Sequence, residues 1–249
     1  MKKYLLECCV DSVESAIAAQ TGGADRLELC SNLIIGGTTP TLALYHAVRK
    51  SCSLPIHVLI RPRFGDFLYT EHEAQIIASE IEAFRDAKAD GVVIGSLCED
   101  GTLHMEQMKR FISAAGNMSV TLHRAFDMCK DPFLTLEQAM DLGVHTILTS
   151  GQASDCLSGV NMLQKLISAA DDKIQILAGS GINASAVKTL LENTGLTQFH
   201  MSGKKVLKSA MTYRNPHVSM GLPGFSEYEI WRTDAMEISQ VRSLLDATP

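Results

Sequence analysis

The chain has 249 residues, of which 46% are hydrophobic and 20% charged, and its net charge is -6. This size and composition allow one large α/β domain with a substantial core. The acidic balance argues against nucleic acid as a main partner, and no apolar run approaches the roughly 18 residues of a membrane span. No signal peptide is evident, so we expect a cytoplasmic protein whose seven cysteines are reduced thiols.

Eight short apolar runs predict the strands of the fold. They lie at residues 4–8, 26–30, 56–61, 91–95, 120–124, 146–150, 174–178 and 199–202. Seven of the runs are followed by a helix-like segment, and no Pro/Ser-rich linker divides the series. Eight β/α units in a chain of this length predict a single domain over residues 1–249, folded as a (β/α)8 TIM barrel.

Capping residues mark where the helices begin. The segment from Asp11 to Glu14 has the pattern of a capping box, and Thr39 before Pro40 has that of an N-cap followed by proline. Another capping box begins at Thr70. The helices between the strands are predicted to end near residues 20, 50, 88, 115, 142, 170 and 193.

The strand–helix alternation ends after the eighth strand. Residues 203–225 predict a long loop, and an extended segment follows at 228–232. We expect that segment to pack on the outside of the barrel or on a partner subunit. Asp234 then caps a final helix that ends near Asp246.

Polar side chains near the strand ends are the candidates for function, because TIM barrels bind and react at that face. Residues two apart on a strand share a face, so Glu7 lies with Cys9, and Glu28 with Cys30. If both faces point inward, Glu7 and Glu28 lie side by side and the two cysteines lie one level higher, at the mouth. Two thiolates at one height suit a soft ion such as Cu(I).

A buried pair of carboxylates requires a compensating cation or a shared proton. Arg61, at the end of the third strand, and Arg26, on the second, are the candidates for that cation. Two interpretations follow: a structural ion network that fills the barrel, or a site for a charged ligand or metal.

His123, at the end of the fifth strand, is the best histidine candidate and is expected to point into the barrel. It would act as an acid–base group or a ligand, unless it is a hydrogen-bonded core residue. Asp127 would cap the following loop or orient His123. His200, on the eighth strand, is the second-best histidine.

Small residues follow the seventh and eighth strands, where many barrels bind phosphate. Gly179, Ser180 and Gly181 end the seventh strand, and Ser202 ends the eighth. Glycines let the backbone approach an anion closely, and a helix N-terminus follows. The segments predict an anion or phosphate loop, with a tight turn as the alternative.

Several of these segments together resemble the CutC family of copper homeostasis proteins. The resemblance covers nearly the whole chain, and the motifs RPRFGD at 61–66 and HRAFD at 123–127 are its most specific parts. The matching segments are residues 7–12, 23–30, 36–40, 60–69, 121–128, 148–151 and 213–215.

The resemblance implies a TIM barrel, a cytoplasmic location and a homo-oligomer, a dimer or tetramer. It also implies a copper ion, Cu(I), as cofactor, held by cysteines near the barrel mouth. The matching positions here are Cys9 and Cys30.

Two functions of the barrel mouth therefore remain open at this stage, beside a third, weaker hypothesis of an inert scaffold whose 203–232 segment mediates assembly. The first is a Cu(I)-binding protein of copper homeostasis. The second is an enzyme acting on a small anionic or phosphorylated substrate, with no reaction assigned. In the second, Arg61 and the loop at 179–181 would hold the anion, and Glu7, Glu28 and His123 would move protons.

Overall fold

A computed structural model describes residues 3–215, 217–218, 220 and 224–248. Its eight parallel strands close into a barrel in sequence order, which confirms the predicted (β/α)8 TIM barrel. The strands are β1 Leu5–Val10, β2 Arg26–Leu29, β3 Ile56–Leu59, β4 Gly91–Ile94, β5 Ser119–Leu122, β6 Thr146–Thr149, β7 Gln175–Ala178 and β8 Gln198–Met201.

A helix follows each of the first seven strands, and a final helix follows the last strand of the chain. These helices are α1 Val13–Thr21, α2 Leu42–Ser51, α3 Glu71–Asp86, α4 Met105–Ala115, α5 Pro132–Asp141, α6 Val160–Ala170, α7 Ala184–Asn193 and α8 Ala235–Ala247. All the predicted helices are present. None of those in the described ranges is long and apolar enough to cross a bilayer.

Two predicted caps were wrong by one or two residues. Ser12, not Asp11, is the N-cap of α1, and Thr41, not Thr39, is the N-cap of α2. Each true cap has an extended backbone, and its hydroxyl accepts from the N–H three residues on. The Thr39 hydroxyl instead accepts a hydrogen bond from the backbone N–H of Arg61. A contact between residues so far apart in the chain is not visible in a local sequence pattern.

The core has two parts. The larger, apolar part lies between the strands and the helices. A smaller apolar cluster of Cys30, Leu59 and Val93 is separate from it. Along β1 and β2, every second side chain points into the barrel rather than towards the helices. Glu7, which is 1% exposed, and Glu28, which is 6% exposed, are two of these inward side chains. The barrel interior is therefore polar, and its charges must be compensated from within.

A two-stranded antiparallel ribbon follows the barrel strands. It pairs β9, Lys204–Lys208, with β10, Glu229–Thr233. The prediction of a continuous loop over 203–225 was therefore wrong at β9. Its partner strand lies far along the chain, and even the closest paired positions, Lys208 and Glu229, are 21 residues apart. Residues 216, 219 and 221–223 of that segment lie outside the described ranges. β10 packs beside α1, and its residues Trp231 to Thr233 border the mouth of the barrel, so it packs against the barrel itself, one of the two expected partners.

Gly22, which ends α1, lies directly against α8. A β-carbon there would come within 2.5 Å of Ile238 Cβ and 2.7 Å of the Ala235 carbonyl oxygen. We predict that Gly22→Ala lowers the free energy of unfolding by about 1–3 kcal/mol, because the helices must move apart. Chemical denaturation measures this. Gly195→Ala is the matched control, since its β-carbon has its nearest neighbour, Ile167 Cγ2, at 3.6 Å. Equal stability of the two variants would contradict the packing argument.

Candidate functional site

A cavity of about 800 Å³ opens at the carboxyl ends of the barrel strands. It brings together most of the predicted site residues, which are Cys9, Glu28, Arg61, His123, Asp127, Ser180, Gly181 and Ser202. Within the described ranges, Glu7, Cys30 and Gly179 do not line it. His200, which the sequence ranked second among the histidines, does line it.

Glu7 joins three neighbouring strands inside the barrel. Its carboxylate accepts from Arg26 Nε at 2.5 Å and contacts His200 Nδ1 at 2.7 Å. Burial alone would raise the pKa of Glu7, but the Arg26 charge and the His200 hydrogen bond hold it well below its usual range. Of the two predicted cations, Arg26 therefore compensates this carboxylate.

The register between β1 and β2 corrects the predicted levels. Glu7 pairs with Arg26, and Cys9 pairs with Glu28. Glu7 and Glu28 therefore do not lie side by side, and Cys30 lies one inward-facing position above the level of Cys9. The physical reason is the stagger between neighbouring strands that barrel closure requires, which alternation within a single strand does not reveal.

Cys9, Glu28 and His200 form a group of potential metal ligands. One ligand atom from each lies within 4.8 Å of the others. His200 Nε2 is 3.7 Å from a Glu28 oxygen. Burial raises the pKa of Glu28 to about 7, although the nearby His200 charge opposes the rise. His200 was not among the predicted ligands, although its place at the end of the eighth strand is a sequence signal that could have identified it.

Cys30 lies in a different environment from Cys9. It is fully buried, and its thiol lies 3.6 Å from the Val10 carbonyl oxygen. It packs with Leu59 and Val93. Burial raises the pKa of Cys30 well above the usual thiol value. Joint binding of one ion by Cys9 and Cys30 remains a prediction.

Arg61 is bonded to backbone carbonyls rather than to a carboxylate. Its Nη1 atom donates to Gly37 at 3.2 Å, and its Nη2 donates to Gly65 at 2.7 Å. Its guanidinium carbon also lies 5.0 Å from the centre of the Phe67 ring. The prediction that Arg61 neutralises the carboxylates of the first two strands was therefore wrong, since its guanidinium bonds to backbone carbonyls and packs on Phe67 instead.

His123 is a buried, neutral imidazole. Its Nδ1 accepts from the Ala125 backbone N–H at 3.1 Å, and its Nε2 has no hydrogen-bond partner among the described residues. The ring packs on Phe67 with 4.7 Å between the ring centres. Burial, and then the charge of Arg61, lower the pKa of His123 to about 3. At neutral pH its proton is on Nε2, because Nδ1 is the acceptor.

Asp127 fixes the loop after β6. Its carboxylate accepts from the Thr149 hydroxyl at 2.5 Å, from the Ser150 hydroxyl at 3.0 Å and from the Gln152 N–H at 3.1 Å. Arg124 Nε also donates to it, at 2.7 Å. No hydrogen bond between Asp127 and His123 occurs in the described structure. Of its two predicted roles, loop capping is the one these contacts support.

The predicted anion loop lines the cavity in part. Ser180 and Gly181 both have positive φ angles, 72° and 79°, and Ser180 donates its hydroxyl to the Ser154 carbonyl. Helix α7 begins just beyond, with Asn183 as its N-cap. A β-carbon on Gly179 would come within 2.6 Å of Leu148, so this glycine is required for packing. Anion binding by the loop remains a prediction.

The fold and the cavity define a TIM-barrel protein with a large pocket at the carboxyl ends of its strands. A model of the CutC family matches residues 4–205. The chain is 41% identical over 239 residues to the family protein CutC of Histophilus somni, covering 96% of this chain and 98% of the relative. It is 42% identical over 242 residues to the copper homeostasis protein cutC homolog of Homo sapiens, covering 97% and 88%. The chain therefore belongs to the CutC family.

Solved structures agree with this assignment. The crystal structure of CutC from Streptococcus agalactiae superposes with a TM-score of 0.75 at 26% identity, covering 80% of this chain and 98% of that one. Thiamine phosphate pyrophosphorylase from Pyrococcus furiosus, at a TM-score of 0.57 and 14% identity, covers 98% and 96% and shares the fold alone. Because the family model ends at residue 205, a single domain over 1–249 remains a prediction.

The low pKa of His123 predicts a dependence of stability on pH. The unfolded chain binds a proton at this histidine near pH 6.5, whereas the folded chain binds it near pH 3. The stability from a neutral His123 is therefore complete above pH 6.5 and is lost as the pH falls towards 3.

We expect His123→Asn to remove this contribution. Asn can still accept from the Ala125 N–H, but it does not titrate. Between pH 6 and 5, the wild-type free energy of unfolding should fall faster than that of the variant by about 1 kcal/mol per pH unit. Urea unfolding across that range measures the free energy of unfolding of both proteins. Subtracting the two values cancels the contributions of the other titrating groups, which both proteins share. His72→Asn, at an exposed position on α3, is the control, and identical slopes for His123→Asn and wild type would contradict the prediction.

Proposed function

We propose that this protein binds Cu(I) at the barrel mouth and acts in copper homeostasis. The observation that carries the proposal is the grouping of Cys9 and His200, whose ligand atoms lie within 4.8 Å of each other in a buried pocket. Thiolate and imidazole are ligands that copper accepts, and a thiolate favours Cu(I). The human relative's name, copper homeostasis protein cutC homolog, supports the same function.

The orientation of His200 supports a role as a ligand. Its Nδ1 is held by Glu7 at 2.7 Å. A carboxylate on one ring nitrogen is the usual way in which proteins fix a metal-binding histidine, and it directs the other nitrogen to the ion. Nε2, the nitrogen that Glu7 does not hold, lies 3.7 Å from a Glu28 oxygen, and Cys9 belongs to the same group of potential ligands. In this proposal Glu7 orients the ligand, and Glu28 contributes negative charge, since a carboxylate oxygen is a poor match for Cu(I).

Cys30 is the second thiolate of the proposed site. It follows directly after β2, the strand next to β1, and lies one inward-facing position above Cys9, buried beside Leu59 and Val93 rather than at the cavity wall. To bind, Cys30 must lose its thiol proton and its contact with the Val10 carbonyl. Its affinity contribution is therefore expected to be smaller than that of Cys9.

An anaerobic Cu(I) titration against a competing chelator tests the site. We expect near one-to-one binding tighter than about 1 pM, equivalent to about -16 kcal/mol. Cys9→Ser should weaken it at least 100-fold, and Cys30→Ser by less. Cys52→Ser is the matched control, because Cys52 is a buried thiol bonded to Gln20, remote from the cavity. Unchanged affinity in both Cys9→Ser and Cys30→Ser would contradict the proposed site.

A second candidate function is an enzyme that acts on a small anionic or phosphorylated substrate. The specific observation in its favour is the size of the cavity, about 800 Å³, which far exceeds the space needed by a single ion. The cavity also joins Glu28, whose pKa is raised to about 7, with the loop of Ser180 and Gly181. A carboxyl group that titrates near neutral pH is suited to proton transfer.

Thermal unfolding in the presence of phosphorylated and carboxylated metabolites tests the enzyme hypothesis. A ligand at 100 times its dissociation constant should stabilise the protein by about 2.7 kcal/mol, a rise in Tm of roughly 5–10 °C. Glu28→Gln should bind the same metabolite but lose its turnover. A screen in which metabolites stabilise neither protein would contradict this second function.

Two further properties remain predictions. The cytoplasmic location and the homo-oligomer, a dimer or tetramer, follow from the family resemblance. Light scattering coupled to size exclusion measures the second directly.

A further inference from the structure

We propose that Arg61 and His123 form a binding subsite for an anionic oxygen group, a carboxylate or a phosphate, on the side of the cavity formed by β3 and β5. The subsite deepens the second candidate function, because it states where the charged group of a substrate binds. It requires no copper and uses neither Cys9 nor His200.

The charge of Arg61 is the first reason. The residue is 8% exposed, and within the described structure its side chain bonds to the backbone carbonyls of Gly36, Gly37 and Gly65. No carboxylate of the described residues lies within 4.0 Å of it, and its buried Nε has no partner. A buried cation without a counter-ion is unfavourable. An anion in the cavity would supply both the missing charge and the missing acceptor.

The state of His123 is the second reason. Its Nδ1 accepts from the Ala125 N–H, so the neutral ring carries its proton on Nε2. That N–H is buried and lacks a partner, although the residue lines the cavity. A buried donor without a partner is destabilising, and an anionic oxygen would satisfy it. In this subsite His123 acts as a fixed hydrogen-bond donor.

Phe67 brings the two groups to one place. Both side chains pack on its ring. The centre of the His123 ring lies 4.7 Å from the centre of the Phe67 ring, and the Arg61 guanidinium carbon lies 5.0 Å from it. Gly95 leaves room for the imidazole, since a β-carbon on Gly95 would come within 2.6 Å of His123 Cε1.

Other buried polar atoms without partners do not offer the same site. Arg26 Nη2 and His57 Nδ1 are also unsatisfied. The Arg26 charge, however, is paired with Glu7, and neither Arg26 nor His57 is among the residues that line the cavity. The pair of Arg61 and His123 combines an unpaired charge, a free donor and access to the cavity.

Two substitutions of His123 separate its two nitrogens. In His123→Asn the side-chain oxygen takes the place of Nδ1 and can keep the bond to Ala125, but the Nε2 donor is removed. In His123→Gln the longer side chain places an amide N–H near the position of Nε2. The first variant therefore removes the proposed donor, and the second restores one.

NMR titration of the ¹⁵N-labelled protein with sodium acetate and, separately, with inorganic phosphate tests the subsite. We expect at least one anion to shift the amide resonances of Phe67 and Gly37 in a saturable way, and the two arms distinguish carboxylate from phosphate. Its dissociation constant should rise at least tenfold in His123→Asn and return to within about threefold of wild type in His123→Gln. The absence of a saturable shift with either anion, or unchanged binding in a folded His123→Asn, would overturn the proposal.

Cu(I) titration of the same samples tests whether the anion subsite and the proposed copper site are independent. We expect His123→Asn to bind Cu(I) as wild type does, and Cys9→Ser to bind the anion as wild type does. Loss of Cu(I) affinity in a folded His123→Asn would show that the two sites are not separate, and would also overturn the inference. If Cu(I) binds but neither anion does, only the subsite is disproved.

Discussion

The compensation of one buried charge, that of Glu7, determines the arrangement of the barrel interior. Glu7 is 1% exposed, and removing such a carboxylate from water costs several kcal/mol unless it is paired. Arg26 from β2 and His200 from β8 supply the pairing, so the strands on both sides of β1 are joined through this side chain. The same contact fixes the His200 ring and thereby sets which nitrogen faces Cys9 and Glu28.

The stagger of the strands then distributes the site residues along the barrel axis. In the register of β1 and β2, Cys9 pairs with Glu28 rather than with Cys30, which is two residues further along. Cys30 therefore lies above the pair, among apolar neighbours. Two thiols that look equivalent in the sequence therefore have different surroundings: one belongs to a group of potential ligands, and the other packs with Leu59 and Val93. Closure of the barrel produces this difference.

The cavity has two chemically distinct sides. The side formed by β1, β2 and β8 carries the thiol, imidazole and carboxyl groups, whose charges are balanced within the protein. The side formed by β3 and β5 carries Arg61, whose charge has no carboxylate partner among the described residues, and the free donor of His123. Binding of a soft cation and binding of an anion are therefore compatible properties of one cavity, and copper handling and catalysis need not exclude each other.

The sequence by itself determined the fold, because apolar periodicity and helix caps are local signals: they predicted the eight strands and the helices, and Thr70 with Glu73 forms the predicted capping box. It also identified Cys9, Glu28, Arg61 and His123 as residues of the mouth. Tertiary structure alone decided their partners. The strand register placed Cys9 beside Glu28, barrel closure brought His200 to Glu7, and distant donors gave Asp127 its role in a loop. These contacts join residues far apart in the chain, so no spacing within a segment encodes them.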